Sequence, residues 1–225
     1  FSRQFKPPLK NKKDPNIVII ILETFPAFKC GILGNPLNPT PYFDELAKEA
    51  ILFSNFYVPK LSTAASIFCT LTGLPDMAVI NKSSTRDPFA IHQELLINQL
   101  GGYNKHFFMG GSANWGDLNG FFKNNIKDII IHEEGSYSSP ETNAWGISDY
   151  HLLQETHKVL AEESEPFIAM VLTAGHHRPY TIPEKIPGVE KSAFPPEHRN
   201  YSFGEDDYYA FKFMDFALGQ FIVEA

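Results

Sequence analysis

Three places in this 225-residue sequence carry side chains suited to chemistry. Glu23 directly follows the apolar run NIVIIIL (16–22), Thr63 lies at the start of LSTAASIFCTLTGLP (61–75), and His176-His177 break the run PFIAMVLTAGHHRPY (166–180). A hydroxyl becomes a nucleophile when a base or a metal ion draws off its proton. At a helix N-terminus it also stands beside unpaired backbone N–H groups and the positive end of the helix dipole, a setting that suits phosphate or sulfate. Plainer readings stand beside these. Ser62 and Thr63 are ordinary N-cap types, and Glu23 at a strand end can simply cap the next helix. Ala64 and Ala65 form a small-residue floor with room for a substrate or metal, although alanine is also a good helix former.

The elements that must position these residues alternate between strand and helix. NIVIIIL is β-branched without alternation, the pattern of a parallel strand covered on both faces. TPYFDELAKEA (40–50) has Thr40 as N-cap, Pro41 at the first helical position, and Phe43, Leu46 and Ala47 on one face. ILFSNFYV (51–58) reads as a strand. In the next segment Ile67, Phe68, Leu71 and Leu74 repeat at helical spacing until Gly73 and Pro75, so a helix begins near Thr63, with the Thr63 hydroxyl as its cap. RDPFAIHQELLINQLGGYN (86–104) reads as a helix closed by Gly101-Gly102, KHFFMGG as a strand, NWGDLNGFFKNN as a short helix or loop, and DIIIHEE as a strand. ISDYHLLQETHKVLAEES is an amphipathic helix, PFIAMVL a buried strand, and GEDDYYAFKFMDFALGQFIVEA a helix with acids in its first turn. This alternation predicts an α/β sandwich with a mainly parallel central sheet flanked by helices. In such a sheet Glu23, Thr63 and the histidines share one edge, where open α/β sheets place their ligands.

Composition excludes several functions. The net charge is −7, and Arg3, Lys6, Lys10, Lys12 and Lys13 all precede the first acid, Asp14. Without those five, 14 basic residues face 26 acidic ones, a balance that argues against nucleic-acid binding. Residues 1–15, basic and containing Pro7, Pro8 and Pro15, read as a linker or arm, and residues 16–225 as one domain. Cys30 and Cys69 form no CxxC pair, so neither a zinc ribbon nor a disulfide framework organises the chain. Of the other histidines, His92, His151 and His157 lack a ligand partner at metalloprotease spacing, and His106, His132 and His198 read as ordinary core or solvated residues.

ILET (21–24), TPYFDELAKEA (40–50), STAASIFCTLTGLP (62–75), NWGDLNGFF (114–122), WGISD (145–149) and LTAGHHRPY (172–180) occur in an order that resembles the extracytoplasmic domains of lipoteichoic acid synthase-like phosphoglycerol transferases. These belong to the sulfatase and alkaline phosphatase superfamily. The resemblance implies an alkaline-phosphatase/sulfatase-like sandwich in which Thr63 is the phosphoryl-accepting nucleophile and Glu23 and Thr63 bind one divalent metal. Manganese comes first, with zinc or magnesium as alternatives. It implies that His177 contacts substrate phosphate and that Trp115 lines the headgroup pocket; His176, where the family often has Asn, ranks lower. Asp117 replaces a phosphate-binding arginine, and Ala65 stands where related transferases often carry another, which points to a different headgroup or weak activity. The family completes its metal site with a D-H-G motif that does not occur here, so the sequence reads as the N-terminal portion of a longer domain, inactive alone.

The expected partner is a phospholipid or glycan headgroup. The expected location is the extracytoplasmic face of the membrane, with a membrane tether upstream of Phe1. Alternatives within the superfamily are a sulfuric ester hydrolase, although LSTAAS lacks the C/S-x-P-x-R signature, and a phosphoethanolamine transferase. A non-catalytic anion-binding domain is the alternative from another class.

Overall fold

The computed structural model describes residues 14–78, 84–86, 92–184, 194 and 204–225. Its elements are β1 (Ile17–Ile21), α1 (Pro41–Glu49), α2 (Thr63–Thr72), β2 (Asn104–Met109), α3 (Leu118–Asn125), β3 (Ile129–His132), β4 (Glu141–Asn143), β5 (Gly146–Ile147), α4 (Asp149–Ala161), β6 (Phe167–Leu172) and α5 (Glu205–Glu224). The main sheet is wholly parallel in the order β1-β6-β2-β3, and β4 and β5 form a small antiparallel pair.

Every residue of β6 is buried, because β6 lies between β1 and β2 and helices cover both of its faces. Ile168, Met170 and Leu172 meet Ile67 and Phe68 of α2 and Phe121 and Phe122 of α3 in one apolar cluster. Ala169 and Val171 meet Leu152 and Leu153 of α4 and Ala217 and Phe221 of α5 in another. Two-sided burial removes the alternation that a half-exposed strand would show. Gly73, at φ 70°, closes α2 by donating its N–H to the Cys69 carbonyl. Asp215 of α5 is buried and accepts the Tyr42 and Phe43 N–H groups at 3.0 and 2.8 Å, so α1 is capped from across the fold. Thr40 holds the N-cap position without a capping bond; its hydroxyl donates to Asp44 and accepts from the Gly31 N–H.

Several expectations are corrected. ILFSNFYV is not a strand: no strand of the described sheet pairs with it, and Ile51, Phe53, Phe56 and Tyr57 are exposed. The helix expected over 86–104 shrinks, among the described residues, to a 3-10 turn at Leu96–Gln99; residues 87–91 lie outside the described part. Hydrogen bonding explains this, since the Gln93 N–H donates to Asn125 Oδ1 and the Asn98 side chain bridges the Asn125 carbonyl and the Lys127 N–H. Leu74, expected on the buried face of α2, is exposed beyond the helix end. Most of the basic arm and His198 also fall outside the described residues.

Candidate active site

The carboxyl ends of β1, β2 and β6 open onto a cavity of about 250 Å3 lined by Glu23, Thr63, Trp115, Glu134, Trp145 and His177 among others. Glu23 is held just beyond β1 by a hydrogen bond from its N–H to Thr173 Oγ1 at 3.0 Å; the Thr173 N–H in turn donates to the Ile21 carbonyl, extending the β1–β6 ladder. The Glu23 carboxylate does not cap a helix. Its Oε2 accepts the Thr63 hydroxyl at 2.8 Å and its Oε1 the Thr24 hydroxyl at 2.8 Å.

Thr63 is the first residue of α2, and Ser62, not Thr63, holds the N-cap position. The expected capping role of Thr63 is therefore corrected, because its hydroxyl is committed to Glu23. The Ser62 side chain makes no capping bond either, so the N-terminus of α2, with the positive end of its dipole, opens beside the Thr63–Glu23 pair without a side-chain cap. Ala64 and Ala65 are not the floor of the cavity. They are buried in the core, and Ala64 packs against Gly116, where an added Cβ would stand 2.9 Å from the Ala64 methyl.

The far wall comes from the β4–β5 hairpin, which lies against the glycine turn after β2. A Cβ on Gly110 would stand 2.7 Å from the Ile147 carbonyl oxygen, one on Gly111 2.7 Å from that of Trp145, and one on Gly146 1.8 Å from that of Gly110. Only glycines let the two backbones meet this closely. The contact places Trp145 beside the cavity, its ring centroid 4.1 Å from His177 and 6.1 Å from Trp115 at nearly a right angle. The Trp145 indole N–H donates to the Arg178 carbonyl, which also lies 2.8 Å from His177 Nδ1, fixing the histidine against the wall.

Of the residues singled out from sequence, Glu23, Thr63, Trp115 and His177 thus come together in one cavity. Asp117 does not line it. It sits exposed at φ 57° before α3, with its carboxylate over the first turn of that helix near Gly120. His176 is fully buried behind the site and faces Asp207 and the Thr24 carbonyl. Sequence reasoning passed over Thr173, Trp145, Glu134 and Asp149 as individual site residues. Asp149 opens α4 fully buried, and its carboxylate accepts the Ala174 and Gly175 N–H groups, fixing the turn that leads to the histidines. Burial pushes its carboxyl up to about 6, and the negative charge of Glu23 adds in the same direction. The only trace of Trp145 and Asp149 in the sequence is the WGISD motif.

A carboxylate and a hydroxyl sharing a short hydrogen bond are the hard oxygen donors that magnesium or manganese takes. Two donors are fewer than a closed divalent site uses, and among the described residues no group of three or more His, Cys, Asp or Glu side chains could hold a metal ion. Both cysteines are free and buried; burial first, with Asp44 and Asp215 adding, pushes the Cys30 thiol up to about 12. No helix among the described residues is long and apolar enough to cross a membrane.

Comparison with known proteins agrees with the fold. The curated protein lipoteichoic acid synthase-like YvgJ of Bacillus subtilis (strain 168) is 23% identical over 183 residues, covering 77% of this chain and 28% of its own length. The crystal structure of a protein in the alkaline phosphatase superfamily from Vibrio parahaemolyticus superposes with a TM-score of 0.78 at 28% identity, over 98% of this chain and 55% of that one. The lipoteichoic acid synthase LtaP from Listeria monocytogenes also gives 0.78, at 20% identity, over 94% of this chain and 52% of that one. The chain therefore spans about half the length of these structures and less of the curated relative. The Sulfatase family model matches residues 15–225, and the chain belongs to the sulfatase family.

Proposed function

We propose that this chain carries the nucleophile of a metal-dependent phosphotransferase or phosphodiesterase acting on phosphoglycerol-type headgroups. The observation that carries the reading is the hydrogen bond from the Thr63 hydroxyl to Glu23 Oε2 at 2.8 Å, inside a cavity at a helix N-terminus. Thr63 Oγ1 attacks phosphorus while its proton passes to Glu23. The bond from phosphorus to the leaving alcohol breaks, and that alkoxide takes a proton from water as it departs; Glu23 returns its proton to Thr63 when the acceptor, losing its own proton to water, displaces it. A phosphothreonine intermediate results, and an acceptor alcohol or water displaces Thr63 to complete the cycle. The N-terminal dipole of α2 favours the negative charge of the phosphoryl oxygens, and His177 and Trp115 flank the headgroup.

Glu23 and Thr63 would contribute to holding one divalent cation, manganese in the first instance with zinc or magnesium as alternatives. Such an ion would lower the pKa of the hydroxyl and screen phosphoryl charge. The substrate is a phospholipid or glycan headgroup, met at the extracytoplasmic face of a membrane to which the protein is tethered upstream of Phe1. Sulfate-ester hydrolysis fits less well, since threonine, not cysteine or serine, stands at the reactive position.

A non-catalytic anion-binding domain has one observation in its favour: among the described residues neither lysine nor arginine lines the cavity, so none of them is placed to clamp a transferring group. The discriminating experiment incubates full-length protein and a Thr63→Ala variant with manganese and a p-nitrophenyl phosphodiester or a phosphoglycerol lipid. Turnover lost in the variant supports the enzyme. Equal binding by both proteins without turnover, across metals and headgroups, supports the binding domain.

A further inference from the structure

The geometry points to His176 as a positioning residue that sets the Glu23 carboxylate against Thr63, acting through Thr24. This inference rests on the proposed role of the Glu23–Thr63 pair. Thr24 has φ 50°, a left-handed conformation that β-branched residues avoid, so something must hold it there. Two hydrogen bonds do. The Thr24 carbonyl lies 2.6 Å from His176 Nδ1, and its hydroxyl donates to Glu23 Oε1 at 2.8 Å, leaving Oε2 to accept from Thr63 at 2.8 Å.

On its far side His176 Nε2 lies 2.5 Å from Asp207 Oδ1, and the same carboxylate receives the Lys29 ammonium at 2.6 and 2.7 Å. A carbonyl oxygen can only accept, and a carboxylate flanked by an ammonium accepts as well. Each ring nitrogen thus faces its own oxygen partner, and the ring cannot turn without losing one of them. The ring is fully buried and packs on Phe211 at 4.8 Å. Lys29 and α5 thus fix the histidine, the histidine fixes the left-handed turn at Thr24, and the turn holds Glu23 by Oε1, which sets Oε2 toward Thr63. A residue that only filled this space would not need two polar partners from separate segments of the chain.

The test uses full-length protein with His176→Phe, His176→Asn, Thr24→Gly and the double variant His176→Phe/Thr24→Gly. Glycine adopts the left-handed turn unaided, and Asn can still donate to the Thr24 carbonyl. His176→Phe is expected to lower kcat by about 10- to 100-fold with KM within about twofold, and His176→Asn to retain more activity than His176→Phe. On the Thr24→Gly background the added effect of His176→Phe falls to about threefold or less, because the turn no longer depends on the histidine. Crystal structures supply a readout independent of activity: in His176→Phe, Thr24 leaves the left-handed region and Glu23 Oε2 moves off Thr63. An unchanged kcat in folded His176→Phe, or an effect of the same size on both backgrounds, overturns the proposal. If His176→Phe does not fold, His176→Asn decides it by the same Thr24 and Glu23 geometry in its crystal structure. If the wild type itself shows no turnover, phosphotransfer fails and the crystal structures still decide the positioning role.

Discussion

Gly146 gives a sharp test of how the cavity wall is built. Its φ is 95°, and a Cβ there would stand 1.8 Å from the Gly110 carbonyl oxygen, 2.2 Å from its carbon and 2.5 Å from the Gly111 nitrogen. All three are backbone atoms and cannot swing aside. To reach ordinary contact near 3.4 Å, the hairpin and the glycine turn must part by about 1.6 Å. Separation breaks the Ile147 N–H bond to the Gly110 carbonyl, worth about 1 kcal/mol, and the left-handed backbone adds about 1–2 kcal/mol. Gly146→Ala should therefore cost about 2–3 kcal/mol. Gly135 supplies the control: its φ is 83°, but an added Cβ meets no atom within 4 Å, so Gly135→Ala should cost only the backbone part, about 1–2 kcal/mol, and less than Gly146→Ala. Urea unfolding followed by circular dichroism measures both. Trp115 and Trp145 are the only tryptophans and both line the cavity, so native-state emission should shift in Gly146→Ala and not in Gly135→Ala. Equal destabilisation of the two variants with unchanged emission would refute the close approach of hairpin and turn.

Three further outcomes follow from groups outside the cavity. Asp215→Ala leaves the Tyr42 and Phe43 N–H groups without acceptors at the start of α1 and should lower unfolding free energy by about 3 kcal/mol, measured in urea. Asp207→Ala removes the carboxylate that the buried Lys29 ammonium and the His176 ring both meet, and should destabilise by about 3 kcal/mol, more than Lys29→Met, which removes a charge together with its desolvation. For pH, burial and the neighbouring His106 lower the His132 pKa from 6.5 to about 4, so its contribution is present above pH 6.5 and lost as pH falls through about 4. Burial raises Asp149 from 3.8 to about 6, so its contribution has the opposite sign, present below pH 3.8 and lost as pH rises through about 6. Urea titrations from pH 7.5 to 4 should show His132→Gln gaining on the wild type as pH falls, and Asp149→Asn losing ground to it; parallel curves would contradict these assignments.

Much of the scaffold was legible because it follows from local pattern. The apolar run before His176 announces a strand buried on both faces, as β6 is, and the β-branched run before Glu23 announces its parallel neighbour β1. But β1 is an edge strand of the described sheet, with no residue fully buried and Val18 exposed, so its expected two-sided cover is corrected. Parallel strands bring their ends to one edge, which is why Glu23 after β1 and His177 after β6 meet in one cavity; Thr63 joins them from the start of α2, whose Ile67 and Phe68 pack on β6. What stayed hidden depends on partners. ILFSNFYV has strand composition, but a strand needs a hydrogen-bonded neighbour, and none flanks this segment among the described residues. The β4–β5 hairpin is shaped by contact with Gly110 and Gly111, which no periodicity encodes. His106 and His132 looked unremarkable singly, yet their rings stack 5.4 Å apart, with His106 Nε2 3.0 Å from Glu163. His176 ranked below His177 by resemblance, and only the fold reveals its links to Thr24 and Asp207.

The central claim is that Thr63 is a nucleophile. The most direct measurement is intact-protein and peptide mass spectrometry of the full-length protein, quenched during incubation with manganese and a phosphodiester substrate. The account predicts a phosphoryl-bearing adduct on the peptide containing Thr63, formed at a rate competent for turnover and absent in Thr63→Ala. Turnover without any adduct at Thr63, or turnover that persists in Thr63→Ala, would contradict it.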